Sequence, residues 1–265
     1  RASCGSPGSE WNRFVVGRTG GAGSRDWAVR RILPDASGWD TIENEAGNQS
    51  AAAWTWNPGG IEDEATACSA SSMQVVVAGT TGTGVSDDIR LRRFDLQTGF
   101  RDLTYGTAGT VSINNAGDDN VYSVLTERWT SDAYVAGSDA TNGGRAFVTR
   151  IDADGQVDAS WGTGGSVTWD ATVNEESARA LDWSWDADGG LSGEFLRVGV
   201  RHGQNAGDVA VREYDYAGDL QTSVTPGTVR VMGYSPDTTR SIKLAGDLSV
   251  ARSGDSGGTL LDLAE

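Results

Sequence analysis

The segment Gly254-Asp255-Ser256-Gly257-Gly258 sets a serine among small residues, an arrangement that could expose Ser256 as a nucleophile. Such chemistry needs a histidine base beside the serine and an acid behind the base. The sequence holds one histidine, His202, in VRHGQ (200–204), so any triad would have to use it. Aspartates are a second resource. Asp152, Asp154 and Asp158 in DADGQVD (152–158) are spaced as ligands for calcium, a hard cation that takes about six to eight oxygens. Asp and Gly are also what a hairpin turn selects. The equivalent turns DLQTGFRD (95–102) and DYAGD (215–219) lack the middle acid, so plain turns are the preferred reading and no cofactor is expected. Zinc fits worse, since one histidine and two distant cysteines cannot close a site. The third resource is aromatic. Of ten tryptophans, Trp54, Trp56 and Trp169 fall on or near strands that end a repeat, and Trp129, Trp183 and Trp185 fall in the connections between strands. These six are the candidates for stacking on a sugar or another ring, while Trp27 and Trp161 are assigned to packing.

Charge narrows the partners. Acids outnumber bases by 37 to 21, a formal charge of -16. That field repels phosphate backbones and anionic lipid surfaces, and no apolar run approaches the roughly 18 residues of a membrane span. The expected partner is another protein or a cell-surface component, glycan included. Glycine is abundant at 37 residues and proline scarce at 5, a composition suited to many tight turns between short strands. Apolar positions at helical spacing are missing, so the expected class is all-β.

The elements that must position these residues repeat along the chain. One strand recurs as FVVGR (14–18), VVVAGT (75–80), AYVAGS (133–138), LRVGVR (196–201) and SVAR (249–252). Anchored on Gly17, Gly79, Gly137, Gly199 and Ala251, the copies are spaced by about 62, 58, 62 and 52 residues. An alternating strand follows the first four, as DWAVRRI (26–32), DDIRLRRF (87–94), RAFVTRI (145–151) and DVAVREY (208–214). Its two-residue period puts Val29, Leu91, Val148 and Val211 on a common face. An acid-glycine hairpin turn comes next, then DLTYGTAGTVSI (102–113) or DASWGTGGSVTW (158–169), with Tyr105 matching Trp161. A further short strand precedes each anchor. Each copy thus reads as four short strands joined by turns, the make-up of one propeller blade.

The run RIDADGQVDASWGTGGSV (150–167), with the upstream DDNVYSVLTE and AYVAG, resembles the delta-60 repeat family of bacterial, mostly exported proteins. The resemblance covers copies two and three well, copy four in part and copy one through its VVG and WAVRR strands. It implies repeat architecture and export, not chemistry. The expected fold is one repeat domain over residues 1–265, a β-propeller of about five four-stranded blades with the last incomplete. Copies span roughly 1–60, 61–117, 118–173, 174–236 and 237–265. A four-bladed ring with an overhang, or an open arc, remains as the alternative. GDSGG resembles the nucleophile loop of trypsin-like proteases, but LSVARSGDSGG (248–258) aligns without a gap on FVVGRTGGAGS (14–24), which makes it an ordinary inter-strand loop.

Phase also places the cysteines. Cys4 and Cys68 precede Gly17 and Gly79 by similar distances, so both fall on first strands of adjacent copies, where a disulfide can form. An even pair of this kind fits an exported chain; an opening at Arg1 without Met reads as a mature, processed chain or an excised part of a longer one, either of them compatible with export. The expected location is extracellular or periplasmic, secreted or at the cell surface. The NQS at 48–50 matches a glycosylation acceptor. Taken together, these residues favour a non-catalytic binding or scaffold module, with a carbohydrate-binding propeller as the alternative and a protease behind both.

Overall fold

In a computed structural model the chain is all-β. The structure describes residues 2–4, 13–21, 25–33, 37–40, 53–57, 63–82, 86–115, 117–127, 130–140, 144–169, 176–185, 194–202, 208–220, 228–231, 242–245, 249–252 and 260–262. The first sheet holds β1 (Ala2–Cys4), β2 (Arg13–Thr19), β3 (Asp26–Ile32), β4 (Trp39–Asp40) and β5 (Trp54–Trp56). The second holds β6 (Glu64–Ala70), β7 (Gln74–Gly82), β8 (Asp87–Asp95) and β9 (Val111–Ile113). The third holds β10 (Asn120–Thr126), β11 (Ala133–Asp139), β12 (Arg145–Ile151) and β13 (Ser166–Trp169). The fourth holds β14 (Ser177–Trp185), β15 (Glu194–His202), β16 (Asp208–Tyr214) and β17 (Thr228–Val231), and the fifth β18 (Ile242–Ala245), β19 (Ser249–Arg252) and β20 (Leu260–Asp262). Spatial order follows chain order in every sheet apart from β5, which pairs β3 beside β4, so each is an antiparallel meander, the blade of a β-propeller.

Departures from the repeat have local causes. In the first sheet the fourth strand is split, β4 pairing at Arg31 and Ile32 and β5 at Trp27 to Val29 of the same strand. Trp183 and Trp185 do not lie in a connection. They extend the first strand β14, because its partner β15 is long enough to pair Trp183 with Leu196 and Trp185 with Glu194. The anchor of the fourth copy is Val200, not Gly199. Ala65 opposes Gly79 beside a bulge in the second sheet, and Ala178 opposes Val200 beside the matching bulge in the fourth. Size explains the exchange. A Cβ on Gly79 would stand 2.6 Å from Trp27 Cζ2 and 2.7 Å from Ala65 Cα, whereas the residue at the position of Trp27 in the third sheet is the small Ala146.

Contacts group the chain into two compact units, Arg1–Val135 with Arg150–Val157, and Ala136–Thr149 with Asp158–Glu265. The first unit has a core of Phe14, Val16, Trp27, Val29 and Trp54 from the first sheet against Ala65, Val75, Val77, Phe94 and Leu96 from the second. Trp27 also donates its indole N–H to the Thr80 carbonyl at 2.9 Å. Cys4 and Cys68 are bonded, with Cα atoms 5.8 Å apart, and join β1 to β6. In the second unit Tyr214 packs between Trp161 and Trp169, with ring centroids 6.4 and 5.8 Å away.

The aromatic-glycine segment and the acid-glycine turn of successive copies form one device. Gly106 N–H donates to the Asp154 carbonyl at 2.8 Å, and Gly162 N–H to the Ala217 carbonyl at 2.7 Å. Gly155 and Gly218, next in each turn, have φ of 82° and 84°, and side chains there would collide with Gly106 and Gly162. Glycine is therefore required at four points by backbone approach. Ala108 is the exception that identifies a stability defect. Its φ is 52°, and its counterpart in the third copy is Gly164, at φ 64°. An L-residue in this region costs about 1 kcal/mol, so Ala108→Gly is expected to raise stability by about 0.5 kcal/mol after the glycine entropy penalty. Urea unfolding reads the change, and a loss of stability would contradict it.

Candidate functional site

Among the described residues several arginines of the blades act on neighbouring strands or turns. Arg31 pairs with Asp40, and Arg93 with Asp102, its Nε at 3.0 Å from Oδ2. The two pairs occupy the same register and share one spacing, a signal available in the sequence that residue types alone did not suggest. Arg93 also donates to the Ala153 carbonyl at 2.6 Å and lies over the Tyr105 ring. Arg150, in the same position of the third copy, turns instead to Asp132 at 2.6 Å. Glu213 stands there in the fourth copy and pairs with Arg197.

Arg92 and Arg212, on the opposite face, sit over tryptophans of the preceding copy. Arg92 lies 4.2 Å from the Trp56 centroid and 5.8 Å from that of Trp54, and Arg212 lies 5.0 Å from that of Trp169. Such pairs contribute about 1 kcal/mol each when partly desolvated. The third copy, which follows Ile113 rather than a tryptophan, carries Thr149 at that position.

The same packing takes in several of the tryptophan candidates. Trp54 is fully buried and Trp169 nearly so, while Trp56 is half-buried against Trp27 and beneath Arg92. Trp183 is half-buried and stacks on Tyr216 with rings 24° apart and centroids at 6.3 Å. Trp185 has its backbone in β14, and Trp129 lies outside the described residues. Trp27, Trp161 and Tyr105 are all fully buried.

The aspartate candidates act within their own turns. Asp152 Oδ1 accepts from the amides of Asp154 and Gln156, and Asp158 Oδ1 from the amide and hydroxyl of Ser160. Among the described residues no group of three or more His, Cys, Asp or Glu side chains is placed to hold a metal. Another set of acids, whose pair at 118–119 belongs to the family resemblance, was given no role by sequence reading. Asp63, Asp119 and Glu176 stand just before the first strand of three successive copies, each nearly or fully buried. Their amides donate to the carbonyls of Arg25, Asp87 and Gly144, at the start of the preceding third strands. The paired acids at 62–63, 118–119 and 175–176 were the available signal. His202 ends β15, and Ser256 and Asn48 lie outside the described residues.

The Asp102 carboxyl is perturbed by its surroundings. Partial burial, the largest influence, pushes it up, but hydrogen bonds from Thr104 and Arg93, with the Arg93 charge, outweigh burial and hold it below the ordinary carboxylate range. A depressed native value stabilises the fold above the unfolded value near pH 4, and the contribution is lost as pH falls through the native value. Asp102→Asn is therefore expected to flatten the loss of stability below about pH 4. Melting temperatures measured across that range test it; parallel profiles for the two proteins would refute the assignment. Burial likewise pushes the Tyr105 phenol up.

Exposed large apolar side chains have a common location. Among the described residues they are Trp39, Met73, Phe100, Leu103, Val157, Tyr216 and Leu220. Every one belongs to a turn between first and second or third and fourth strands, or to the chain just after it. These turns share one end of each blade, because strand direction alternates.

No family model matches the chain, and no curated protein matches it. Solved propellers do. The subtype N10 neuraminidase-like protein of A/little yellow-shouldered bat/Guatemala/060/2010 matches 87% of this chain and 56% of its own, at 9% identity and a TM-score of 0.48. The Nup133 β-propeller domain of Vanderwaltozyma polyspora matches 93% of this chain and 70% of its own, at 10% identity and 0.41. Drosophila Semaphorin 1b, extracellular domains 1-2, matches 89% and 58%, at 9% identity and 0.44. The chain spans a little over half the length of the first and third.

Proposed function

We propose that this chain, a module of propeller blades, is a non-catalytic binding or scaffold protein of the delta-60 repeat type, displayed outside the cytoplasm of a bacterium. One observation carries the reading: among the described residues, each exposed large apolar group lies at the same end of its own blade, where turns present surface for a partner. The Arg–Asp pairs join neighbouring strands and turns, and the amides of the buried acids bond to the starts of the preceding third strands. The Cys4–Cys68 bond accords with an oxidising location.

A native preparation is expected to carry a protein or surface component in fixed ratio and to remain unlabelled by a fluorophosphonate probe. Labelling that disappears in Ser256→Ala would replace this reading with an enzymatic one. The stacked pair of Trp183 and Tyr216, with Tyr216 42% exposed, favours carbohydrate binding as a second reading. A glycan array, with Trp183→Ala as comparison, separates the two.

A further inference from the structure

We infer that the turn end of the second blade, together with the adjoining turn of the third, binds a cationic amphipathic segment of a partner protein. The inference rests on the binding-module reading and names the chemistry of its ligand. The surface belongs wholly to the first compact unit and is continuous along the backbone. Leu96 N–H donates to the Met73 carbonyl at 2.7 Å, and Asp95 N–H to the Phe100 carbonyl at 2.7 Å. Met73 and Phe100 thus flank the Asp95-Leu96 corner from either side. Phe100 and Leu103 bracket Asp102, whose partner Arg93 reaches across to the Ala153 carbonyl. The Gly106 to Asp154 hydrogen bond fixes the next turn alongside, and Val157 follows it. Met73, Phe100, Leu103 and Val157 are 63, 44, 57 and 43% exposed, so four apolar side chains face solvent along one rim.

The same rim is acidic on balance, with Asp95, Asp152 and Asp154 set against Arg101 of the Phe100 turn. Asp95 Oδ1 accepts from the amides of Gln97 and Thr98 and from the Thr98 hydroxyl, and Asp152 is held in the same way by its own turn. These bonds orient the carboxylates without neutralising them. Among the described residues no arginine or lysine pairs with Asp95, Asp152 or Asp154. Apolar groups set among carboxylates in excess of the local cations select a ligand with complementary properties. A second copy of this chain would bring another -16 charges, and anionic lipid or nucleic acid would be repelled likewise. A segment with alternating basic and apolar side chains satisfies both features, and the field of the whole chain would speed its approach.

The test uses the full chain and two labelled synthetic peptides, one of lysine and leucine in an amphipathic order and one in which serine replaces every leucine. Fluorescence anisotropy is expected to show binding of the Lys–Leu peptide that weakens with salt, and much weaker binding of the Lys–Ser peptide. Phe100→Ser with Leu103→Ser leaves the charge unchanged and should weaken the Lys–Leu peptide at least about tenfold. Asp154→Asn, an exposed change, should reduce the salt dependence. Thermal melts of each variant establish that it is folded. Equal affinity of wild type and the double variant, or of the two peptides, would overturn the inference, since only a diffuse acidic field would remain. That result leaves the module reading standing, which falls instead on labelling of Ser256.

Discussion

Replacing Gly155 by alanine is expected to destabilise the protein by roughly 3 kcal/mol, among the largest effects a single methyl can have here. Two costs combine. At φ 82° an L-residue is strained by about 1 kcal/mol. The new Cβ would also stand 2.9 Å from Gly106 Cα, 3.0 Å from the Tyr105 carbonyl carbon, and nearer still to the Gly106 nitrogen. Backbone atoms cannot swing aside as a flexible side chain would. The turn must therefore withdraw and give up the Gly106 to Asp154 hydrogen bond, which costs about 1 to 3 kcal/mol if the donor stays buried. Gly164→Ala provides the control. Its φ is 64°, but nothing lies within 4 Å of the added Cβ, so only strain of about 1 kcal/mol, partly offset by the lost glycine entropy, is expected, a net loss of about 0.5 kcal/mol. Chemical denaturation of the two variants decides the matter. Equal losses would mean that close approach between the turns is not what requires glycine at 155.

Reduction of the Cys4–Cys68 bond is expected to cost about 4 kcal/mol, the figure the chain-entropy model gives for a separation of 64 residues. The bond ties β1, a strand of three residues, to the second sheet. Without it β1 is held by its pairing to Phe14, Val15 and Val16 and by the packing of Ala2 and Cys4 against the shared core. The first copy should then open locally before the rest. A reducing agent should lower the melting temperature and direct limited proteolysis to residues 1–60. An unchanged melting temperature, or first cuts elsewhere, would contradict this account.

Strands and turns were legible in the sequence because period-two alternation and acid-glycine turns are local signals. The disulfide was legible for a related reason: phase within a repeat places two distant residues on equivalent strands. Packing between copies was not. Trp54, Trp56 and Trp169 carry the same letter as a ligand-stacking tryptophan, and their fate depends on Arg92 and Arg212, which lie 36 to 43 residues further along the chain. The shift from Gly199 to Val200 was hidden for the same reason, since alignment by glycine ignores what the neighbouring copy presents. The apolar turn end escaped notice because Met73, Phe100, Leu103 and Val157 occupy different motif positions and meet only when strand direction assigns their turns to one end.

The opposition of Trp27 to Gly79, with Ala146 and Val200 at the corresponding positions further on, bears on how such a chain could be rearranged. A copy fits its predecessor through a bulk exchanged for a void, so the copies are not interchangeable bricks. Transplanting the fourth directly behind the first would drive Val200 into the indole of Trp27, while the second placed behind the third would set a glycine beside an alanine and leave a hole. Duplication or shuffling of whole copies would therefore need a compensating change on one side of each new junction. The linear order of the copies is itself a heritable, selectable property of this protein.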